Sequence, residues 1–140
     1  MRQVVGVMAV VWLVLFAGGC VVARPCPCTG TTVDTAALER IAGVWDTSEG
    51  QATWEIRNGK ITGPYSQDGG RVFLDVDGHV ARGIWVENDS NQRCDRPRDG
   101  SYHWGRVELR FGPDFQSFEG WWSYCESTKQ EKAWTGRRVR

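Results

Sequence analysis

The sequence predicts an all-β domain: a small antiparallel up-and-down meander of about eight strands, closed or nearly closed into a barrel. The composition combines 8 Trp with 17 Gly, a pairing typical of a compact β-protein in which large rings fill gaps. Turn signals recur about every ten residues. Asn58-Gly59 and Asp77-Gly78 are dipeptides that favour two-residue hairpins.

The order of the elements follows from these turn signals. Residues 36–41 predict a single short helical turn before the first strand. Asp68-Gly69-Gly70 and Gly112-Pro113-Asp114 mark two further turns. We expect strands near residues 43–48, 52–57, 60–66, 71–76, 79–87, 102–111, 117–125 and 132–139.

A glycine lies two residues from an aromatic residue in five of these strands. Residues two apart in a strand share a face, so each glycine can make room for a ring from the neighbouring strand. Two interpretations stay open. The rings fill the interior, as an eight-stranded barrel allows, or Tyr65, Trp85 and Trp122 line a ligand cavity. The motifs are Gly43-x-Trp45, Gly63-x-Tyr65, Gly83-x-Trp85, Gly120-x-Trp122 and the reversed Trp134-x-Gly136.

The first and last strands carry a family resemblance. Gly43-x-Trp45 after a short helical turn, with Arg137 and Arg138 in the last strand, resembles the calycin pattern. That resemblance implies an arginine packed over the first-strand tryptophan.

The spacing of the other motifs is similar to the meander of avidin and streptavidin. It extends from about Ala42 to Arg138 and implies the fold more than the ligand. For biotin, the resemblance implies Tyr65 as the ring that bonds the ureido oxygen. Thr47 and Gln51, however, stand where that family has Asn and Ser partners.

Residues 1–19 predict a lipoprotein signal peptide. Arg2 is the only charge before an apolar run over residues 4–16. Phe16-Ala17-Gly18-Gly19-Cys20 then resembles the lipobox of a bacterial lipoprotein precursor, with Ala17 where the family usually has Leu. The resemblance implies cleavage before Cys20 and a membrane anchor through lipid on that residue. The alternative is an uncleaved transmembrane anchor, since residues 4–23 are about long enough to span a bilayer.

If these residues form a lipobox, the chain belongs to the bacterial cell envelope. The family's inner-membrane retention signal, commonly Asp after the lipidated cysteine, is replaced by Val21, which favours the outer membrane. The domain would then lie in the periplasm or at the cell surface.

The remaining four cysteines divide between a linker and the domain. Residues 20–34 form a Pro-, Gly- and Thr-rich tether, and residues 35–140 form the barrel-like domain. Cys26 and Cys28 in the tether lack the further ligands of a metal site, so we prefer a disulfide involving the tether or another molecule. Cys94 and Cys125 are expected to pair in an oxidising compartment. Their bond would close a loop of about 30 residues and contribute on the order of 3 kcal/mol.

Charge and side-chain chemistry exclude several functions. Lys plus Arg and Asp plus Glu both total 17, so no global field would recruit nucleic acid. His79 and His103 stand with no recognisable nucleophile, and Asp75-x-Asp77-x-His79 spans a hairpin tip. We therefore expect no enzyme activity, no metal and no cofactor.

Two functional hypotheses remain. The first is a non-enzymatic interaction module that contacts an envelope protein through Trp121, which strand alternation places on the outer face. Whether the Cys94 segment covers that ring stays open. The alternative is a calycin- or avidin-like carrier of a small apolar or ring-containing ligand. The volume of the cavity separates the two hypotheses.

Overall fold

The computed structural model describes residues 33–139, and this part of the chain forms a closed eight-stranded antiparallel barrel. Each strand pairs with the next and β8 pairs with β1, so the barrel leaves no free edge. The predicted fold class is confirmed. One helix, α1 (Thr35–Ile41), precedes the strands β1 Gly43–Thr47, β2 Gly50–Arg57, β3 Lys60–Pro64, β4 Arg71–Asp77, β5 Val80–Glu87, β6 His103–Phe111, β7 Ser117–Trp122 and β8 Lys132–Arg138.

Several predictions fall on residues that the structure does not describe. The predicted signal peptide, the predicted lipidation site Cys20 and the tether residues Cys26 and Cys28 all lie before residue 33. Within residues 33–139, no helix has the length and hydropathy that a membrane span requires.

The strands begin and end close to their predicted bounds, with one clear exception. β7 ends at Trp122, although we expected a strand to residue 125. The Ser123 hydroxyl donates to the carbonyl oxygen of Ser127 (2.6 Å), and Cys125 adopts a φ of 55°. The chain therefore leaves the regular strand here, because a left-handed residue does not fit the pleat.

The helix α1 closes one end of the barrel. Asp34 caps it, since its Oδ1 accepts from the backbone N–H of Ala37 (3.0 Å). Leu38 and Ile41 are fully buried against the barrel. The indole N–H of Trp45 donates to the carbonyl oxygen of Ile41 (2.8 Å), which ties the end of the helix to β1.

Aromatic rings fill the interior next to α1. Neighbouring ring centroids among Trp45, Trp54, Phe111 and Phe118 are 5.4 to 5.8 Å apart. The guanidinium of Arg138 lies 5.6 Å from the centre of the Trp45 ring and donates to the carbonyl oxygen of Ala42 (2.7 Å). This is the arrangement that the calycin resemblance implied for the last strand.

The glycines of the Gly-x-aromatic motifs make room for strand backbone as well as for rings, which differs in part from our expectation. A Cβ at Gly136 would meet the Phe118 ring, as expected. At Gly63, Gly83 and Gly120, however, a Cβ would lie 1.9 to 2.2 Å from a carbonyl oxygen of the adjoining strand. These three glycines therefore let strand backbones approach closely, which permits the strong coiling of a small barrel.

A second, smaller core lies outside the barrel wall. Val86 and Trp104 point outward in the strand alternation, yet both are buried together with Cys94. The Sγ atoms of Cys94 and Cys125 lie at the disulfide distance of 2.06 Å, as predicted. The indole N–H of Trp104 donates to the carbonyl oxygen of Arg96 (2.7 Å), so residues 88–102 cover this ring.

Candidate functional site

A cavity of about 410 Å³ opens at the end of the barrel opposite α1. Glu49, Asp68, Asn91 and Glu131 at its rim come from the four connections that an up-and-down barrel places at this end: β1–β2, β3–β4, β5–β6 and β7–β8. We call this space the mouth cavity. Its volume lies in the range of small-molecule sites, about 300–1,000 Å³.

Five aromatic rings form the wall of the mouth cavity. The predicted lining residues Tyr65, Trp85 and Trp122 all face it, together with Tyr124 and Trp134. The rings meet edge to face: Tyr65 and Trp134 have centroids 5.0 Å apart, and Trp122 lies 5.6 Å from Trp85 and 5.0 Å from Tyr124. The interpretation in which the rings fill the interior predicts that Trp122 is buried like Trp85, but Trp122 is only half-buried because part of its ring borders the open space.

Hydrogen bonds fix two of these rings. The indole N–H of Trp85 donates to the carbonyl oxygen of Ser123 (3.0 Å), and that of Trp134 donates to Thr47 Oγ1 (3.2 Å). The indole N–H of Trp122 is inaccessible and has no partner among the described residues. Because these hydrogen bonds hold Trp85 and Trp134 in place, most of the wall has a fixed arrangement in the empty barrel.

Glu87 brings a carboxyl group into this aromatic wall. It follows Trp85 by two residues on β5, so both side chains face inward. Its Oε1 accepts a hydrogen bond from the Tyr65 hydroxyl (2.8 Å). Burial raises the pKa of Glu87 to about 7, with Asp68 and Glu49 adding to the rise and the Tyr65 hydrogen bond opposing it. Sequence reasoning missed this residue, although the alternation Gly83, Trp85, Glu87 signals its direction.

Burial also shifts the pKa of Tyr65, the hydrogen-bond partner of Glu87. Burial, and then the charge of Glu87, raise the pKa of Tyr65 well above its ordinary value. Tyr65 therefore stays a neutral hydrogen-bond donor to Glu87.

Acidic side chains outnumber basic ones around the mouth cavity. Glu49, Asp68, Glu87 and Glu131 line it, and Lys132 is the one basic residue of the lining within the described part of the chain. Lys132 Nζ lies 3.9 Å from Glu49, and Lys129 Nζ lies 3.6 Å from Glu131. Among residues 33–139, neither Asp68 nor Glu87 forms an ion pair. The mouth thus combines aromatic walls with a negative field.

The other predicted contact residue, Trp121, lies on the opposite face of β7. It is half-buried in a groove on the outer wall, beside Arg98 and Glu126. Residues 88–102, which include Cys94, cover Trp104 but contribute only Arg98 to the groove beside Trp121. Glu126 accepts hydrogen bonds from Arg98 (3.0 Å) and Arg106 (2.5 Å), so the charges of this groove are already paired.

Of the three residues at the biotin positions, Tyr65 lines the mouth cavity and Thr47 and Gln51 do not. The Tyr65 hydroxyl is engaged by Glu87. Thr47 Oγ1 donates to the carbonyl oxygen of Gly50 (2.6 Å), and Gln51 is exposed on the outer face of β2. The polar groups that the avidin resemblance implied are therefore not available as a set.

Neither histidine is among the side chains that line the mouth cavity. His79 stacks on Phe115 at a centroid distance of 4.2 Å near the α1 end, and Nδ1 of His103 lies 3.1 Å from the Ser90 hydroxyl. Within residues 33–139, no group of three or more His, Cys, Asp or Glu side chains is arranged to hold a metal ion.

Comparison with known proteins gives no relative: no family model, curated protein or solved structure matches this chain. The mouth cavity is therefore interpreted from its own geometry. It offers a preformed space, five rings and four carboxyl groups at one end of a barrel whose other half is filled.

Proposed function

We propose that this chain is an exported, lipid-anchored bacterial envelope protein whose barrel binds a small ring-containing ligand in the mouth cavity. One observation carries the proposal: an aromatic-walled space of about 410 Å³ remains at one end of an otherwise filled barrel. A barrel built only for stability would fill this end with side chains as it fills the end next to α1.

The construction of the wall also supports ligand binding. Trp85 and Trp134 are held by hydrogen bonds to the barrel itself, so a ligand would not have to order them. Ring surfaces at the mouth would bury the apolar part of a ligand, and the rim would contact its polar part.

The hypothesis of an interaction module remains a prediction with less support. It relies on Trp121 as an exposed anchor, whereas Trp121 is half-buried beside side chains that already pair with each other. Hot-spot residues at interfaces are large side chains that a partner can desolvate, and a partly covered ring offers less new area to bury.

The membrane anchor is proposed from the signal-peptide pattern alone. The apolar run over residues 4–16 and the Ala17-Gly18-Gly19-Cys20 motif support cleavage before Cys20 and lipidation of that residue. Two or more acyl chains on one residue give a stable attachment that a single chain does not.

A ligand screen with two neighbouring variants tests the binding function. The full-length chain is heated with a panel of small ring-containing compounds, biotin included, and its unfolding temperature is recorded. Trp122→Ala removes part of the cavity wall, whereas Trp121→Ala removes the next ring on the outer face of the same strand. We expect at least one compound to stabilise the wild type and Trp121→Ala, and to stabilise Trp122→Ala much less.

Two outcomes would overturn the proposal. In the first, no compound shifts the unfolding temperature of the wild type. In the second, a shift is lost in Trp121→Ala but kept in Trp122→Ala, which would place binding on the outer groove and favour the interaction module.

A further inference from the structure

We infer that the mouth cavity selects a cationic ligand, a protonated amine carried on an aromatic or other ring. This inference rests on the proposed binding function and adds the chemical class of the ligand. It follows from three features of the cavity: the balance of charge, an unused carboxylate oxygen and the identity of the rings.

The charge balance disfavours an anion. Four carboxyl groups line the cavity against one lysine. The nearby lysines partly offset Glu49 and Glu131, but Glu87 and Asp68 have no ion-pair partner within residues 33–139. A concave site with aromatic walls concentrates such a field, so a carboxylate or phosphate ligand would be repelled and a cation attracted.

Glu87 offers a hydrogen-bond acceptor inside the wall. Its Oε1 accepts from the Tyr65 hydroxyl, which fixes the direction of the carboxyl group. No residue of the described chain donates to Oε2. An ammonium group entering between the rings would meet this oxygen and form a charge-assisted hydrogen bond, the stronger kind.

The rings themselves suit a cation. Trp85, Trp122 and Trp134 border the same space as Glu87, and indole has the most favourable face for a positive charge among the aromatic side chains. A purely apolar ligand would gain from the rings but would leave Oε2 of the partly buried carboxyl group without a partner. An aryl-alkyl ammonium ion would contact the rings with its apolar part and the Glu87 carboxyl group with its charge.

The environment of Glu87 couples binding to a proton. Burial holds its pKa at about 7, so the empty cavity at neutral pH contains a mixture of the acid and the carboxylate. An ammonium ligand favours the carboxylate, and its affinity should rise from pH 6 to pH 8. The charged or titratable groups facing Glu87 from the surrounding elements are Tyr65, Asp68, Glu49, His103 and Lys132.

Three probes that share a 2-phenylethyl group test the inference. Isothermal titration calorimetry of the full-length chain at pH 8 compares 2-phenylethylammonium, 2-phenylethanol and 3-phenylpropionate. The probes share a phenyl ring and differ chiefly in the charge of the end group. We expect the ammonium ion to bind at least about tenfold more tightly than the alcohol, since a hydrogen bond to a charged group is worth more than a neutral one, and the carboxylate to bind least.

Two isosteric variants locate the preference. Glu87→Gln keeps the size of the side chain but removes its charge, so it should reduce the preference for the ammonium ion and keep the affinity for the alcohol. Glu119→Gln removes a carboxylate from the outer face of β7 and should leave all three affinities unchanged. A preference that persists in Glu87→Gln would refute the role of this residue.

The failures of the two proposals are distinguishable. If the alcohol or 3-phenylpropionate binds as tightly as the ammonium ion, the cation preference is wrong and the binding function stands. If none of the three probes binds and the wider panel also fails, the binding function itself is wrong.

Discussion

Glu87 places a carboxyl group where a charged one is costly, on the inner face of a barrel lined by aromatic rings. The Tyr65 hydroxyl is the one hydrogen-bond donor to this carboxyl group within residues 33–139. Burial raises the pKa of Glu87 from an ordinary value of 4.5 to about 7. The folded protein therefore holds a proton over a pH range in which the unfolded chain releases it.

This shift predicts that the empty barrel becomes less stable between pH 4.5 and about 7. Because the pKa of folded Glu87 is raised, its contribution is fully present below pH 4.5 and is lost as the pH rises through 7. Glu87→Gln stays neutral at every pH and should flatten this part of the curve. Urea unfolding at several pH values between 4.5 and 8 measures the effect.

The control for this experiment is the neighbour of Glu87 across the sheet. His103 pairs with Glu87 between β5 and β6, and His103→Gln should keep the decline. Hydrogen bonds from arginines lower the pKa values of Glu108 and Glu126 from the ordinary 4.5. The titration of these two carboxylates therefore does not contribute to a decline in stability between pH 4.5 and about 7. A decline that is identical in the wild type and in Glu87→Gln would contradict our assignment.

Among the elements, the segment 88–102 between β5 and β6 has a structural role of its own. The Cys94–Cys125 disulfide ties it to the chain after β7, and it covers Trp104 on the outer wall. It reaches the mouth cavity only through Ser90 and Asn91. Removal of the disulfide should therefore affect the free energy of unfolding more than the ligand affinity.

Replacing both Cys94 and Cys125 by serine should lower the free energy of unfolding by about 3–4 kcal/mol, the range expected for a loop of this length. Ligand affinity at the mouth should change little. Urea unfolding and hydrogen exchange over residues 88–102 measure the first effect, and calorimetry measures the second. Peptide mapping of the unreduced wild type is the check on pairing: recovery of Cys94 or Cys125 joined to Cys26 or Cys28 would refute it.

The elements could be predicted from the sequence because their signals are local. Asn58-Gly59 takes up positive φ values of 51° and 72°, as its hairpin requires, and similar signals bound the other strands. The end of β7 could not be predicted in this way. It depends on a hydrogen bond from Ser123 and on the disulfide at Cys125, neither of which changes the hydrophobic alternation.

The candidate site was predictable only in part. Tyr65, Trp85 and Trp122 were found because alternation assigns each to the inner face. The same rule puts Trp104 on the outer face, but its burial depends on a segment that folds over it. Whether the interior is filled depends on how rings from several strands pack together, and alternation carries no such information.

At the scale of the whole molecule, the two ends of the barrel are built differently. The end next to α1 is packed with rings around Trp45 and closed by the helix. The other end keeps an open space bordered by carboxyl groups. We propose that stability comes mainly from the packed end and that the mouth is the part that binds a ligand.

The membrane attachment of the whole chain is predicted to depend on Cys20. Metabolic labelling with palmitate in an expressing bacterium should mark the wild type and leave Cys20→Ser unlabelled, because the acyl chains need this residue. If the variant is labelled and processed as before, the proposed lipid anchor is wrong.

The tryptophans distributed over the barrel allow the most direct test of ligand binding at the mouth. Nuclear magnetic resonance of the full-length chain with ¹⁵N-labelled indoles reports each ring while 2-phenylethylammonium is added. We predict that the signals of Trp85, Trp122 and Trp134 move, because these rings line the mouth cavity. Those of Trp45 and Trp54 in the packed end should stay in place. Movement confined to Trp104 and Trp121 on the outer wall, or no movement at saturating ligand, would contradict the account.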